Sequence, residues 1–211
     1  MGNDFFVSKI LLFGEYSIIK DSMALCVPYS LFEGSLNFRK GNGPKVEPEL
    51  KAFSQYLKKL HREKIDPIFD FSFDLQSFDF DISQGLFFDS TIPQGYGLGS
   101  SGALCASLFS RYALNNSGKD QFLKDPKMIY RLRSFFSLME SFFHGSSSGL
   151  DPLISYLKQS VLIRGKSDFE RVDLSLGQYG EGKGGIFLLN TGRSRKTEPL
   201  VNLFLEKCLT T

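Results

Sequence analysis

Ile92–Leu114, "IPQGYGLGSSGALCASLFSRYAL", runs a glycine-rich loop straight into an apolar helical stretch. Gly95, Gly97, Gly99 and Gly102 cluster behind Pro93. Glycine costs about 0.5–1 kcal/mol relative to alanine in a regular element, so this density ahead of a helix needs a reason. One reading is an ordinary connector whose serine caps the helix. The other is an anion cradle. A helix N-terminus carries unpaired N–H groups and a partial positive charge, and residues without Cβ let several amides turn toward one phosphate. The loop alone leaves both open. It does exclude two common phosphate motifs. A Walker A loop needs a lysine after its last glycine, where this chain has Ala103. A Rossmann fingerprint needs a βαβ unit, which the β-rich opening does not supply.

Composition narrows the class. The 211 residues suit one large domain, or one domain and part of a second. Hydrophobic residues make up 42%, with 22 Phe and no Trp, which is enough for a substantial core. The 25 basic residues are offset by 23 acidic ones for a net charge of +2, and they are spread out, so no nucleic-acid partner is expected. Cys26, Cys105 and Cys208 are odd in number and lie in apolar settings. Buried thiols in a reducing compartment are therefore expected, not a disulfide framework or a zinc site. No run approaches the roughly 20 apolar residues of a membrane span, and no secretory signal opens the chain. The expected location is cytoplasmic, with no membrane partner.

Along the chain, "VSKILLFGEYSIIK" and "ALCVPYSLFEGSLNFR" read as strands. Residues 49 to 64 switch to helical spacing, with Leu50, Phe53, Leu57 and Leu60 on one stripe and Pro48 just ahead. Phe69, Phe71, Phe73 and Leu75 then alternate with polar residues, and "FDFDIS" and "GLFFDS" extend this strand reading. Helices are expected from Ser100 or Ser101 to about Leu114 and from Pro126 to Phe143, followed by strands in "SVLIRG" and "GIFLLNTG". "TEPLVNLFLEKCL" reads as a closing helix capped by Thr197. This order gives an α+β class.

The order Pro93, Gly95, Gly97, Leu98, Gly99, Ser100, Ser101 resembles the phosphate loop of the GHMP kinases, with Gly102 in place of the usual alanine, a mild change in helix propensity. "KILLFGEYSIIK" (Lys9–Lys20) resembles the opening motif of the mevalonate kinases within that superfamily. "ESFFHGSSSGLD" (Glu140–Asp151) resembles their second acidic motif, and "LLNTGRSRKTEPLV" resembles the start of their C-terminal domain. Together these segments reach from Lys9 to Val201.

The resemblance implies a GHMP kinase N-terminal domain (ribosomal protein S5 domain 2-like) over residues 1–180. Residues 181–211 are then the first strand and helix of an incomplete, ferredoxin-like C-terminal domain, as of a fragment or a shortened protein. "GEGKGG" at 180–185 does not replace the third glycine motif of the family. The implied activity is transfer of the γ-phosphoryl group of ATP, with Mg2+, to a primary alcohol, most like mevalonate. Phosphomevalonate kinase, a sugar kinase, or a nucleotide-binding remnant without turnover are the alternatives. A homodimer is the assembly the family suggests.

The implied roles follow phosphoryl-transfer chemistry, which needs positioned phosphates, charge neutralisation and an oriented nucleophile. Pro93 and residues Gly95 to Gly102 would bind ATP. Ser101, with Ser100 beside it, and Glu140 would hold Mg2+, which takes few protein carboxylates. Asp151 would accept the alcohol proton. Lys9 would keep Asp151 ionised and stabilise the attacking oxygen. Each residue also has a plainer reading: Lys9 as a solvated strand lysine, Glu140 as a surface charge, Asp151 as a helix cap ahead of Pro152. Glu15 would orient Lys9 or a substrate hydroxyl. Tyr16 stands where mevalonate kinases commonly have histidine, and with His144 and Thr197 it falls on the substrate side. For His144 shaping of the turn, and for Thr197 capping, are the preferred roles. His61 is expected to face solvent.

Overall fold

The computed structural model describes residues 4–15, 22–41, 46–63, 71–114, 125–165, 168–174, 188–189, 192 and 203–208. Among the described residues five antiparallel strands form one sheet. Strand β1 (Phe6–Phe13) lies along β2 (Ala24–Phe38), with Lys9 opposite Pro28. The other edge of β2 is shared: its start pairs with β4 (Val161–Ile163) and its end with β3 (Leu86–Ser90). β5 (Phe169–Arg171) adds outside β4. The helices include α1 (Pro48–Arg62), α2 (Leu75–Ser83), α3 (Ser100–Tyr112), α4 (Pro126–His144) and α5 (Leu150–Leu157).

Local chemistry explains where the helices begin. Proline opens both α1 and α4, a position where its missing N–H costs nothing. Asp125 caps α4 by accepting from the Lys127 N–H at 2.9 Å. The α1 stripe of Leu50, Phe53, Leu57 and Leu60 is fully buried, as its spacing predicts. Phe53, Phe71, Phe78, Phe109, Phe135, Phe136 and Tyr156 meet in one aromatic-rich core between α1–α5 and the sheet. Each such side chain contributes about 1.5–3 kcal/mol on burial. A second cluster packs Leu150 and Ile154 of α5 onto Ala24, Cys26, Val161 and Ile163 of the sheet.

Several expectations are corrected. "FDFDIS" is not strand but most of α2. Asp74 accepts the Ser77 N–H at 2.9 Å as an N-cap, and Phe78 and Ile82 are buried one turn apart while Phe80 is 63% exposed. Phe73 makes only an isolated bridge, to Ala113. Helix α5 opens at Leu150, one residue ahead of Asp151, with Pro152 in its first turn, where proline is tolerated. β5, three residues long, is too short to show a strand period in the sequence. Cys26 and Cys105 are buried, but Cys208 is exposed on the helical residues 203–208. In "GIFLLNTG", Leu188, Leu189 and Gly192 form no strand and are exposed, and its other residues lie outside the described ones. His61 is exposed, as expected.

Candidate functional site

The glycine loop is stitched to β1: the Lys9 N–H donates to the Leu98 carbonyl at 3.1 Å. Leu98 is buried beneath the loop. Gly95, Gly97 and Gly99 all have positive φ, at 78°, 71° and 76°. Gly99 is the left-handed N-cap of α3, without a side-chain cap, so the serines do not close the helix end. Ser100 and Ser101 occupy its first turn, both half-buried.

Lys9 and Asp151, far apart in sequence, form an ion pair with Nζ–Oδ1 at 3.0 Å. Their side chains are 10% and 29% exposed. The plain reading of Lys9 as a solvated lysine is thereby excluded. Burial alone would lower the Lys9 pKa, but the Asp151 carboxylate and other neighbours more than offset this and hold it above its usual value. Asp151 does not cap its helix: the N-cap of α5 is Gly149, in left-handed conformation. Cys26 lies near this pair, and burial pushes its thiol up to about 12, which keeps it neutral.

The pair sits directly under the loop. A Cβ on Gly99 would lie 3.1 Å from Lys9 Cγ and 3.3 Å from Asp151 Oδ2. Gly102 brings α3 against α5: a Cβ there would lie 2.7 Å from Asp151 C, Asp151 Cβ and the Pro152 nitrogen. The change from alanine to glycine at this position is therefore not a mild matter of propensity; it sets the approach of two helices. Gly102→Ala is expected to cost about 1–3 kcal/mol as an overpacked contact. Thermal or urea unfolding measures this, and an unchanged midpoint would show that α5 yields freely.

Glu140 is only 3% exposed, on the same face of α4 as Phe136. Its Oε1 accepts from Ser101 Oγ at 3.2 Å, and its Oε2 accepts from Ser147 Oγ. His144 Nε2 lies 2.9 Å from the same Ser101 hydroxyl. Burial, and next the Asp151 charge, push the Glu140 carboxyl up to about 8, against the hydrogen bonds and Lys9, which pull it down. A buried carboxyl and a hydroxyl, both hard oxygen donors, thus converge at the start of α3. This donor set fits a magnesium ion that draws its remaining ligands from phosphate and water. Among the described residues no group of three or more acidic, histidine or cysteine side chains could hold a metal.

Other expected residues are placed differently. Glu15 is exposed beyond the end of β1, and Asp151, not Glu15, makes the described ion pair of Lys9. Pro93 is half-buried at the loop's start. Tyr16 and Thr197 lie outside the described residues. Sequence reasoning missed Ser147 and Arg133, which donates from Nε to the Ser148 carbonyl at 2.8 Å. A serine run reads only as a loop.

This arrangement of loop, helix start and converging charges defines a class of protein. Residues 52–159, just over half of the chain, match the family described as GHMP kinases N terminal domain, and the chain belongs to that family. Among solved structures it is similar to the L. major mevalonate kinase in complex with R-mevalonate. That match has 16% identity and a TM-score of 0.55, over 100% of this chain and 62% of that one. It is also similar to the Methanococcus jannaschii mevalonate kinase, at 15% identity and a TM-score of 0.50, over 95% and 65%. A further mevalonate kinase matches at 16% identity and a TM-score of 0.50, over 96% and 66%. At such identities the likeness shows the fold. The chain spans just under two thirds of the length of these structures. No curated protein matches the sequence. Among the described residues no helix is long and apolar enough to cross a membrane.

Proposed function

We propose that this chain carries the nucleotide site and base of an ATP-dependent kinase acting on a small primary alcohol, with mevalonate as the first acceptor to test. The Lys9–Asp151 ion pair, held beneath the glycine N-cap of α3, carries this reading. The names of the structural neighbours supply mevalonate. We assign residues 1–180 to the nucleotide-binding domain and 181–211 to the start of a second one.

In this reading the amides from Gly97 to Gly102 bind the ATP phosphates at the positive end of α3. Ser101 and Glu140 hold Mg2+, which when bound neutralises charge on the phosphates. Asp151 accepts the proton of the acceptor hydroxyl. The freed oxygen bonds to the γ-phosphorus, and the bond to the ADP oxygen breaks. Lys9 aligns Asp151 and steadies the negative charge on the attacking oxygen. His144 keeps Ser101 oriented and shapes the turn after α4. Turnover measured with Mg-ATP and a panel of alcohols (mevalonate, phosphomevalonate, simple sugars) tests this. Absence of Mg-ATP binding to the folded chain would sink it.

Glu140→Gln separates metal from base. The variant is expected to weaken Mg2+-dependent ATP binding by about 10–100-fold, as for other changes at metal ligands and their partners. It should also change the pH profile of metal-free stability. The native state binds the Glu140 proton more tightly than the unfolded chain. That stabilisation is complete below the ordinary carboxylate range and is lost as pH rises through about 8. Wild type without metal should thus lose thermal stability as pH rises from the ordinary carboxylate range through about 8, and the glutamine variant should lose less. Identical metal titrations for both proteins would make Glu140 purely structural.

A further inference from the structure

The turn between α4 and α5 holds a hydroxyl that the reading above does not use. Ser147 Oγ accepts the Gly149 N–H at 3.0 Å. A serine hydroxyl has one proton to give, and with the amide donating to its oxygen that proton goes to Glu140 Oε2. Ser101 donates to the other oxygen of the same carboxyl. Glu140 is therefore gripped from both sides, by one serine on α3 and one on the turn.

The turn itself is fixed by other means. Ser137 Oγ donates to the Ser147 carbonyl at 2.6 Å, and Arg133 Nε donates to the Ser148 carbonyl at 2.8 Å. The Arg133 guanidinium also lies over the Phe169 ring, 4.8 Å from its centroid. Gly149 is pressed so closely on α4 that a Cβ would fall 2.2 Å from the Arg133 carbonyl. The backbone thus has these anchors in addition to the Gly149 N–H bond to the Ser147 hydroxyl. What that hydroxyl adds is a link between the Glu140 carboxyl and Gly149, the residue that opens α5 two positions ahead of Asp151.

We infer that Ser147 is a positioning residue, resting on the kinase reading, that fixes the metal-binding carboxyl of Glu140 against the start of the helix carrying the base. It touches neither substrate nor nucleotide. It acts through Glu140, by occupying Oε2 so that Oε1 stays with Ser101. Such partners of a metal-binding carboxylate are worth about 10–100-fold in metal affinity or activity.

The test is calorimetric Mg-ATP binding to the 211-residue chain at fixed pH, with Mg2+ as the titrated variable. Ser147→Ala should raise the Mg2+ midpoint by about 10–100-fold. Ser147→Thr, which keeps the hydroxyl, should restore most of it. Ser137→Ala removes a hydrogen bond to the same turn without touching Glu140. It should lower the thermal midpoint and leave the Mg2+ midpoint in place. A Ser147→Ala curve lying on the wild-type curve overturns the inference and leaves the kinase reading standing. So does a Ser147→Thr variant as weak as the alanine, or a Ser137→Ala shift of equal size. A folded wild type that binds no Mg-ATP overturns the kinase reading, and the inference with it.

Discussion

Asp151→Asn is expected to lower phosphoryl transfer by about 10²–10⁴-fold while Mg-ATP still binds. The asparagine nearly matches the carboxylate in shape, and its amide oxygen can still accept from Lys9 Nζ, now 3.0 Å away. It cannot take a proton. The change therefore removes the base and leaves the packing around Gly102 and Pro152 intact. Some stability will be lost, since the largely buried Lys9 gives up its counter-charge. A thermal melt must accompany the assay to show that the variant is folded. The nucleotide should be unaffected in the first approximation, because its phosphates are assigned to loop amides and not to Asp151. Turnover within about tenfold of wild type would remove Asp151 from the base role. Loss of Mg-ATP affinity in a folded variant would instead move it to the nucleotide.

The glycine loop and the helix after it were legible because local chemistry decides them. Glycines give positive φ, and the apolar run after Ser101 has nowhere to go but a core. α1 was legible for the same reason, with its stripe buried as its spacing required. α2 was not. Its Phe–Asp alternation satisfies a strand, but Asp79 is held by Lys58 and Ser54, and Asp81 by Arg111 and Tyr112. Those partners on α1 and α3 are invisible to a local period. The site was legible only through resemblance to whole motifs. Nothing near Lys9 in sequence announces Asp151; the β1–β2 register and the packing of α5 on β1 bring them together. Gly102 shows the limit of propensity most plainly. Its cost in a helix is small, yet the neighbouring backbone of α5, unseen in the sequence, makes it hard to replace.

Gly99→Val should abolish measurable Mg-ATP binding, and for two separable reasons. Gly99 sits at φ 76° and ψ 40°, a left-handed conformation in which a β-branched residue is an outlier. Relaxing that strain would turn the first amides of α3 away from their common focus. The second reason lies below the loop. The Cβ would press on Lys9 Cγ and Cε and on Asp151 Oδ2, so the ion pair must shift as well. Gly97→Ala provides the contrast. Gly97 shares the positive φ, but a Cβ there meets nothing within 4 Å. Its variant feels backbone strain alone, roughly 1–2 kcal/mol for a left-handed residue. Converted to affinity, that is about 5–30-fold if all of it opposes binding. Calorimetry on the two folded variants separates the causes. Weakening at Gly97 with complete loss at Gly99 supports a cradle resting on Lys9 and Asp151. A Gly99→Val variant that binds Mg-ATP as well as wild type would reduce Ile92–Gly102 to a connector and take the main support from the kinase reading.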